Sequence, residues 1–319
     1  MAGEDSKNSG EFGEKIVEGL LELIGWSSFQ KGLGIDCFDG DLHKIGKSPK
    51  TRHGIDFYYS YDCPLVDYRR EDIVISVKHT TKPYPLKNPT TKFKEYLKDL
   101  AHAIECFEQD IEYKSSLNTS NYIKDVNTTG VLFWLSSNKD EKYGSVIEKI
   151  TNFRPNSNLS FNSIYLVDNK RATFLLNTIN YARNYARNKY NTDEVKFVYP
   201  STGYNSSPLN KVSSGDILPV QYINSTILPV RVDVENQVSI LLLFINDCFS
   251  EQSLKRLVGL SHNLTEGWAS EKTILYPDYS YIKHNHTVSK VKQQYRDQKF
   301  IKDVYVSSYL EDIGLLGAD

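Results

Sequence analysis

Three residues in the first quarter of the chain carry the types and spacing that could do chemistry on a phosphate: Asp56, Ser76 and Lys78. An aspartate and a lysine that meet at one strand end, with a third polar group beside them, can bind a divalent cation and hold a water near a phosphate. The stretches around them read as strands. Ile55, Phe57, Tyr59 and Tyr61 alternate with Asp56, Tyr58, Ser60 and Asp62, and Ile73, Ile75 and Val77 alternate with Val74, Ser76 and Lys78. A period of two puts each set on its own sheet face, so Ser76 and Lys78 project together, one pleat apart. Lys78 follows Asp56 by 22 residues, a separation that suits neighbouring strands joined by a loop. A lysine ending an apolar strand needs a negative partner, and Asp56 is the nearest candidate. Taken alone, these two strands favour a salt bridge without chemistry.

Gly54-Ile55-Asp56 followed by Ser76-Val77-Lys78 resembles the Asp…(Asp/Glu)-x-Lys signature of the PD-(D/E)XK, or restriction-endonuclease-like, nucleases. The resemblance covers roughly the first 135 residues. It implies a helix, three strands, a helix and a fourth strand, in that order, and a first helix able to bring a glutamate to a metal ion. The start of the chain, Gly10-Glu11-Phe12-Gly13-Glu14-Lys15-Ile16-Val17 and on to Trp26, resembles that helix. The combination also looks like nuclease subunits of bacterial anti-phage defence systems. The resemblance implies Mg2+, with Mn2+ as a substitute, bound by Asp56, a second carboxylate and the Val77 backbone carbonyl. It implies that Lys78 orients the attacking water and neutralises phosphate charge.

One position departs from the family pattern. Ser76 stands where the family has Glu, Asp or Gln, and a serine is a poor Mg2+ ligand. Ser76 would then bond a metal water, and another element must supply the carboxylate. At about 100° per residue, Phe12, Ile16, Val17, Leu20, Leu21, Leu23 and Ile24 share one broad helix face. Glu11 and Glu18 fall opposite it, whereas Glu14 falls at its edge, with Gly10 and Gly13 able to admit another backbone. The second donor, Glu95, lies on the helix after the lysine strand. There Phe93, Leu97, Leu100, Ile104, Phe107 and Ile111 form the buried stripe and Glu95 points away. Glu14 is the first choice and Glu95 the runner-up. Apart from the resemblance, Glu14 also reads as a first-turn acid favouring the helix dipole.

The elements that must position these groups lie in a chain of 319 residues, 39% hydrophobic and 12% aromatic, enough for two domains or one large one. Net charge is −2, so a DNA-acting protein must concentrate its positive charge locally or borrow it from a partner. The four cysteines, Cys37, Cys63, Cys106 and Cys248, are widely spaced with no Cys-x-x-Cys pair. That spacing argues against a zinc site and fits a reducing cytoplasm. No apolar run approaches membrane length and the polar start is no signal peptide.

In chain order, residues 1–9 read as loose and the first helix as running from Glu11 to Ile24. A strand lies between Trp26 and Phe38, then the two strands above, then a helix from Thr91 to Tyr113 and a central strand from Gly130 to Leu135. A helix over 144–152 and strands at Ser163–Val167 and Lys196–Tyr199 extend this domain, set at residues 1–200. Pro200–Gly215 reads as a linker. A smaller α/β domain, residues 215–319, follows, with strands at Ile217–Ile223, Ile227–Val234, Val238–Phe244, Thr273–Tyr276 and Val304–Tyr309 and helices at Ser250–Leu260 and Val288–Gln298.

Candidate phosphate contacts are Lys50 and Arg52 in a basic loop that also holds Lys47, His79 after the lysine strand, and Arg183 and Arg187 in a row beside Tyr181 and Tyr185. Lys290 and Lys292 belong to the densest basic stretch, Lys283–Lys302, which suits nucleic acid or a docking partner. For each of these a solvated or structural role stays open. The expectation is an α/β protein with a restriction-endonuclease-like core and mixed central sheet, acting as a cytoplasmic Mg2+-dependent nuclease on DNA in defence or restriction. A partner encoded nearby and a homo- or hetero-oligomer are expected. The alternative is a catalytically degraded subunit that binds nucleic acid or a partner.

Overall fold

The computed structural model describes residues 2–44, 48–117, 122–142, 144–150, 153–155, 158–204, 213–235 and 238–310. Lys47, the end of the helix expected over 144–152 and half of the Pro200–Gly215 stretch lie outside the described residues. The chain divides into two compact units, Met1–Thr173 and Phe174–Asp319.

The first unit opens with α1 (Ala2–Leu23), so the stretch expected to be loose is helical from Ala2. Val17, Leu20, Leu21 and Ile24 bury its inner face. The helix stops where Gly25 takes a left-handed φ of 81°, which lets the Trp26 amide reach back to the Leu21 carbonyl at 2.8 Å. The buried face is narrower than its periodicity predicts. Phe12 and Ile16 are 51% and 40% exposed, because the N-terminal half of α1 meets the sheet chiefly through Gly13.

A five-stranded sheet follows, in the order β1 (Gln30–Asp36), β2 (Arg52–Asp62), β3 (Arg69–Thr80), β4 (Asp125–Ser136) and β5 (Ser163–Val167). The first three strands pair antiparallel, and β3, β4 and β5 run parallel. The parallel β3–β4 step needs a crossover, supplied by α2 (Pro89–Gln109) and the short α3 (Ile111–Leu117). This is the helix, three strands, helix, strand order expected. Phe93, Leu97, Leu100, Ile104 and Phe107 of α2 pack with Val74, Leu132 and Trp134 in one core. Ile111 leaves that stripe and is 81% exposed. The extended backbone of Asp110 ends α2, and its carboxylate accepts the Tyr113 amide at 3.0 Å, so the helical phase is reset before Ile111. Within the described part of 144–152 the backbone makes a single 3-10 turn, Ile147–Lys149.

The second unit contains most of α4 (Asn169–Tyr190), whose first residues belong to the first unit. Its six-stranded sheet is built from β6 (Val195–Val198), β7 (Ser214–Gly215), β8 (Ile227–Val234), β9 (Val238–Ile245), β10 (Glu271–Tyr276) and β11 (Val304–Ser308), ordered β11-β10-β9-β8-β6-β7. Helices α5 (Glu251–Thr265), α6 (Tyr281–Gln294) and α7 (Gln298–Lys302) supply its core with Leu254, Leu257, Val288, Val291 and Ile301. The Ser250 side chain caps α5 by accepting the Ser253 amide at 3.1 Å, and the helix continues through Gly259 to Thr265. The strand expected at Ile217–Ile223 is instead a 3-10 turn, Val220–Tyr222. Pro219 removes a ladder donor there, while Leu218, Val220 and Ile223 are still buried.

Candidate active site

β3 presents Lys78 and Val74 toward α2 and turns Val77 and His79 toward α1. The β2–β3 ladder ends at the pair Phe57 and Ile75. Past that pair, the Asp56 carboxylate accepts the Val77 amide at 2.6 Å. The N–H and C=O of one strand residue leave the chain on the same side, so the Val77 carbonyl also faces the Asp56 edge. The buried Ser76 hydroxyl lies near enough to favour the charged form of the same carboxylate. Burial pushes the Asp56 carboxyl above its ordinary 3.8; the Val77 amide, the Lys78 charge and the Ser76 hydroxyl oppose the rise, and the Asp99 charge adds to it.

Glu14 approaches from α1. Partial desolvation raises its carboxyl above the ordinary 4.5 although the residue is exposed, and the charges of Asp56 and Glu11 raise it further, against Lys31. α1 can sit this close because Gly13 has no side chain: a Cβ there would stand 2.3 Å from the Cβ of His79. Gly10, expected to serve the same end, faces nothing within 4 Å. His79 is engaged by α1, with Ser9 Oγ 2.9 Å from its Nδ1 and the Phe12 ring edge-on at 5.4 Å. Burial lowers its pKa.

α2 contributes a carboxylate that sequence reasoning missed. Asp99 lies 3.7 Å from Lys78 Nζ through Oδ2 and accepts from Lys50 Nζ at 2.6 Å through Oδ1. Burial pushes Asp99 up, but the Lys50 hydrogen bond and charge, with Lys78 and His53, outweigh it and hold the carboxyl below its ordinary value. The signal was present: Asp99 follows Glu95 by one helical turn and shares its row. Glu95 itself is drawn outward, bonded by Lys92 at 2.7 Å. Lys78 also lies over the Tyr96 ring at 5.7 Å.

Two clefts flank this cluster. One, of about 310 Å³, is lined by Gly32, Gly34, Arg52, Gly54 and Asp56. Arg52 is exposed beside it and donates to the Gly34 carbonyl at 3.4 Å. The other, of about 420 Å³, is lined by Lys82, Lys87, Lys92, Glu95 and Tyr96. Asp72, farther back on β3, is a carboxylate of another kind. It is fully buried and bonded by Arg70 at 2.8 Å, Tyr58 at 2.9 Å and Tyr113 at 2.7 Å, a closed network that serves the fold.

The remaining candidates lie in the second unit. Arg183 and Arg187 are exposed on α4, and Arg187 is paired with Asp193. Tyr185 turns to Glu271, donating at 2.7 Å. Lys290 pairs with Glu251 at 3.0 Å, and Lys292 donates to the Val304 carbonyl at 2.8 Å, tying α6 to β11. No helix among the described residues is long and apolar enough to cross a membrane.

The donor set suits a divalent cation: Asp56 and Glu14 are both oxygen donors whose charged forms are disfavoured where they stand. Residues 1–171, more than half of the chain, match the family described as the GAPS4 protein PD-(D/E)XK nuclease domain. No curated protein and no solved structure matches the chain.

Proposed function

The chain belongs to the GAPS4 PD-(D/E)XK nuclease family, a defence-associated family, and from that premise we propose a divalent-metal-dependent nuclease that hydrolyses DNA phosphodiester bonds. One observation carries the reading: where the β2–β3 ladder opens, the Lys78 charge acts on Asp56 and the Asp56 charge acts on Glu14, residues far apart in sequence. Asp56, Glu14 and the Val77 carbonyl would hold the ion, Mg2+ or Mn2+. When bound, it would supply positive charge against the scissile phosphate. Lys78 supplies a second positive charge to the phosphate and orients the attacking water. Ser76 and the Val77 amide fix the Asp56 carboxylate, and Asp99 holds Lys78 beside it. Arg52 and the lysines of the larger cleft suit a phosphate backbone on either side, whereas Lys50 is mostly buried and committed to Asp99. A partner protein and an oligomer belong to the same proposal.

Incubating supercoiled and linear DNA with Mg2+ or Mn2+ tests this. Cleavage by the native chain that is lost in Lys78→Ala and Asp56→Asn supports it. The serine at position 76 favours a second reading, a subunit that binds DNA without cutting it. DNA binding with no cleavage under either ion, alone or with a co-purified partner, supports that one instead.

A further inference from the structure

Behind the Asp56 site, the first unit gathers Cys37, His43, His53 and Cys106, whose ligand atoms all lie within 4.8 Å of one another. Their spacing in the sequence argued against zinc, because no two sit as an adjacent pair. The fold brings them together. Cys37 follows β1, His43 lies in the next loop, His53 is on β2 and Cys106 is on α2. The two sulfurs are 3.9 Å apart, and His43 Nδ1 is 3.4 Å from each. Zinc bonds to sulfur and imidazole nitrogen set tetrahedral edges of roughly 3.8 Å for S···S and roughly 3.5 Å for S···N.

Two further observations point to an ion. His53 is 1% exposed, and neither of its ring nitrogens has a hydrogen-bond partner among the described residues. Buried polar atoms are rarely left so, and a ring with both nitrogens unsatisfied calls for a ligand. His43 turns its Nε2 to the Glu105 carboxylate at 3.2 Å. A proton on Nε2 leaves the Nδ1 lone pair facing both sulfurs, the arrangement found behind metal-bound histidines. A thiol chain from Cys106 to Cys37 and from Cys37 to His43 Nδ1 would satisfy those three groups but leave His53 unanswered.

We propose that Cys37, His43, His53 and Cys106 bind one Zn2+ ion in a closed, structural site separate from the Asp56 cluster. On binding, each thiol releases its proton to solvent, and two thiolates with two neutral imidazoles balance the charge of the ion. A neutral, fully protein-ligated centre tolerates burial and leaves no position for substrate. It fastens the end of β1, the following loop, β2 and α2 to one point. His53 lies three residues before Asp56 on β2, and Cys106 lies seven after Asp99 on α2, so the ion fixes both carboxylate-bearing elements.

The test is elemental analysis of full-length protein purified without chelator or metal-affinity resin. About one zinc per chain is expected, falling below about a tenth in His53→Ala and Cys106→Ser and unchanged in Asp56→Asn. Protein produced in cobalt-supplemented medium reports on the native chain even where a variant fails to fold. Intense visible bands with a sulfur-to-cobalt transition support thiolate ligation, and a weak octahedral spectrum overturns it. Native protein that takes up no zinc under reducing conditions, zinc equally retained by both ligand variants, or a Cys37–Cys106 disulfide in the purified chain each overturn the proposal.

Discussion

The Asp56 carboxylate takes the backbone amide of Val77 at 2.6 Å, so the acid proposed to hold the ion also closes the ladder beside Lys78. Charge and hydrogen-bond acceptance can be separated there. Asp56→Asn keeps an acceptor and is expected to fold nearly as well as the native chain. Asp56→Ala leaves the amide unmet and is expected to lose about 1–3 kcal/mol. Both lose cleavage. Denaturant unfolding and plasmid nicking on the same preparations check this, and equal stability of the two variants contradicts it.

Lys78→Ala is expected to reduce cleavage by at least about 10²-fold without unfolding the chain, because removing one preorganised positive group costs that much in a charge-stabilised reaction. Single-turnover rates at saturating metal are the measurement. A rate within threefold or so of the native value sinks the role.

Helix geometry predicts opposite effects for two glycines of α1. Gly13→Ala puts a Cβ 2.3 Å from His79 and is expected to cost about 1–3 kcal/mol and to displace Glu14. Gly10→Ala meets nothing within 4 Å and is expected to stabilise by up to about 1 kcal/mol through helix propensity. Thermal melts of the pair decide it.

The carboxylates predict pH effects of opposite sign. Asp56 and Glu14 have raised pKa values in the folded chain, so their contribution is present below the ordinary 3.8 and 4.5 and is lost as pH rises through the folded values. Asp99 is lowered, so its contribution is present above 3.8 and is lost as pH falls through its folded value. Without divalent cation, Glu14→Gln is expected to flatten the loss of stability toward neutral pH, and Asp99→Asn to flatten the loss in acid. Melting temperature against pH, with and without Mg2+, is the readout, and Mg2+ is expected to remove the first difference only.

A double-mutant cycle ranks the two partners of Asp99. The Lys50 pair, at 2.6 Å with Lys50 mostly buried, is expected to couple by about 1–3 kcal/mol. The Lys78 pair, at 3.7 Å and partly exposed, is expected to couple by less than about 1 kcal/mol. The reverse order, measured by unfolding, overturns this.

Much of the first unit was legible in the sequence because its signals are local. The two-residue alternation around Asp56 and Lys78 placed both strands, and the apolar run Gly130–Leu135 marked β4, an interior strand. Misses arose where packing at a distance decides. Phe12 and Ile16 have the period of a buried face but find little sheet beneath them. Ile111 keeps the stripe's spacing across a break made by one residue, Asp110. Asp99 was hidden because a row pointing away from the apolar stripe reads as solvent, although Lys50 arrives there from another element. Cys37 and Cys106 gave no pattern because only the fold makes them neighbours.

The longer contact of Asp99 to Lys78 makes that lysine exchangeable. Its ammonium can trade one weak oxygen for a phosphate while Asp99 stays neutralised by Lys50. If Lys78 serves the phosphate as proposed, the resting ion pair would act as a counter-ion exchanger, and inorganic phosphate is expected to compete with substrate at Lys78 before it disturbs any other part of the site.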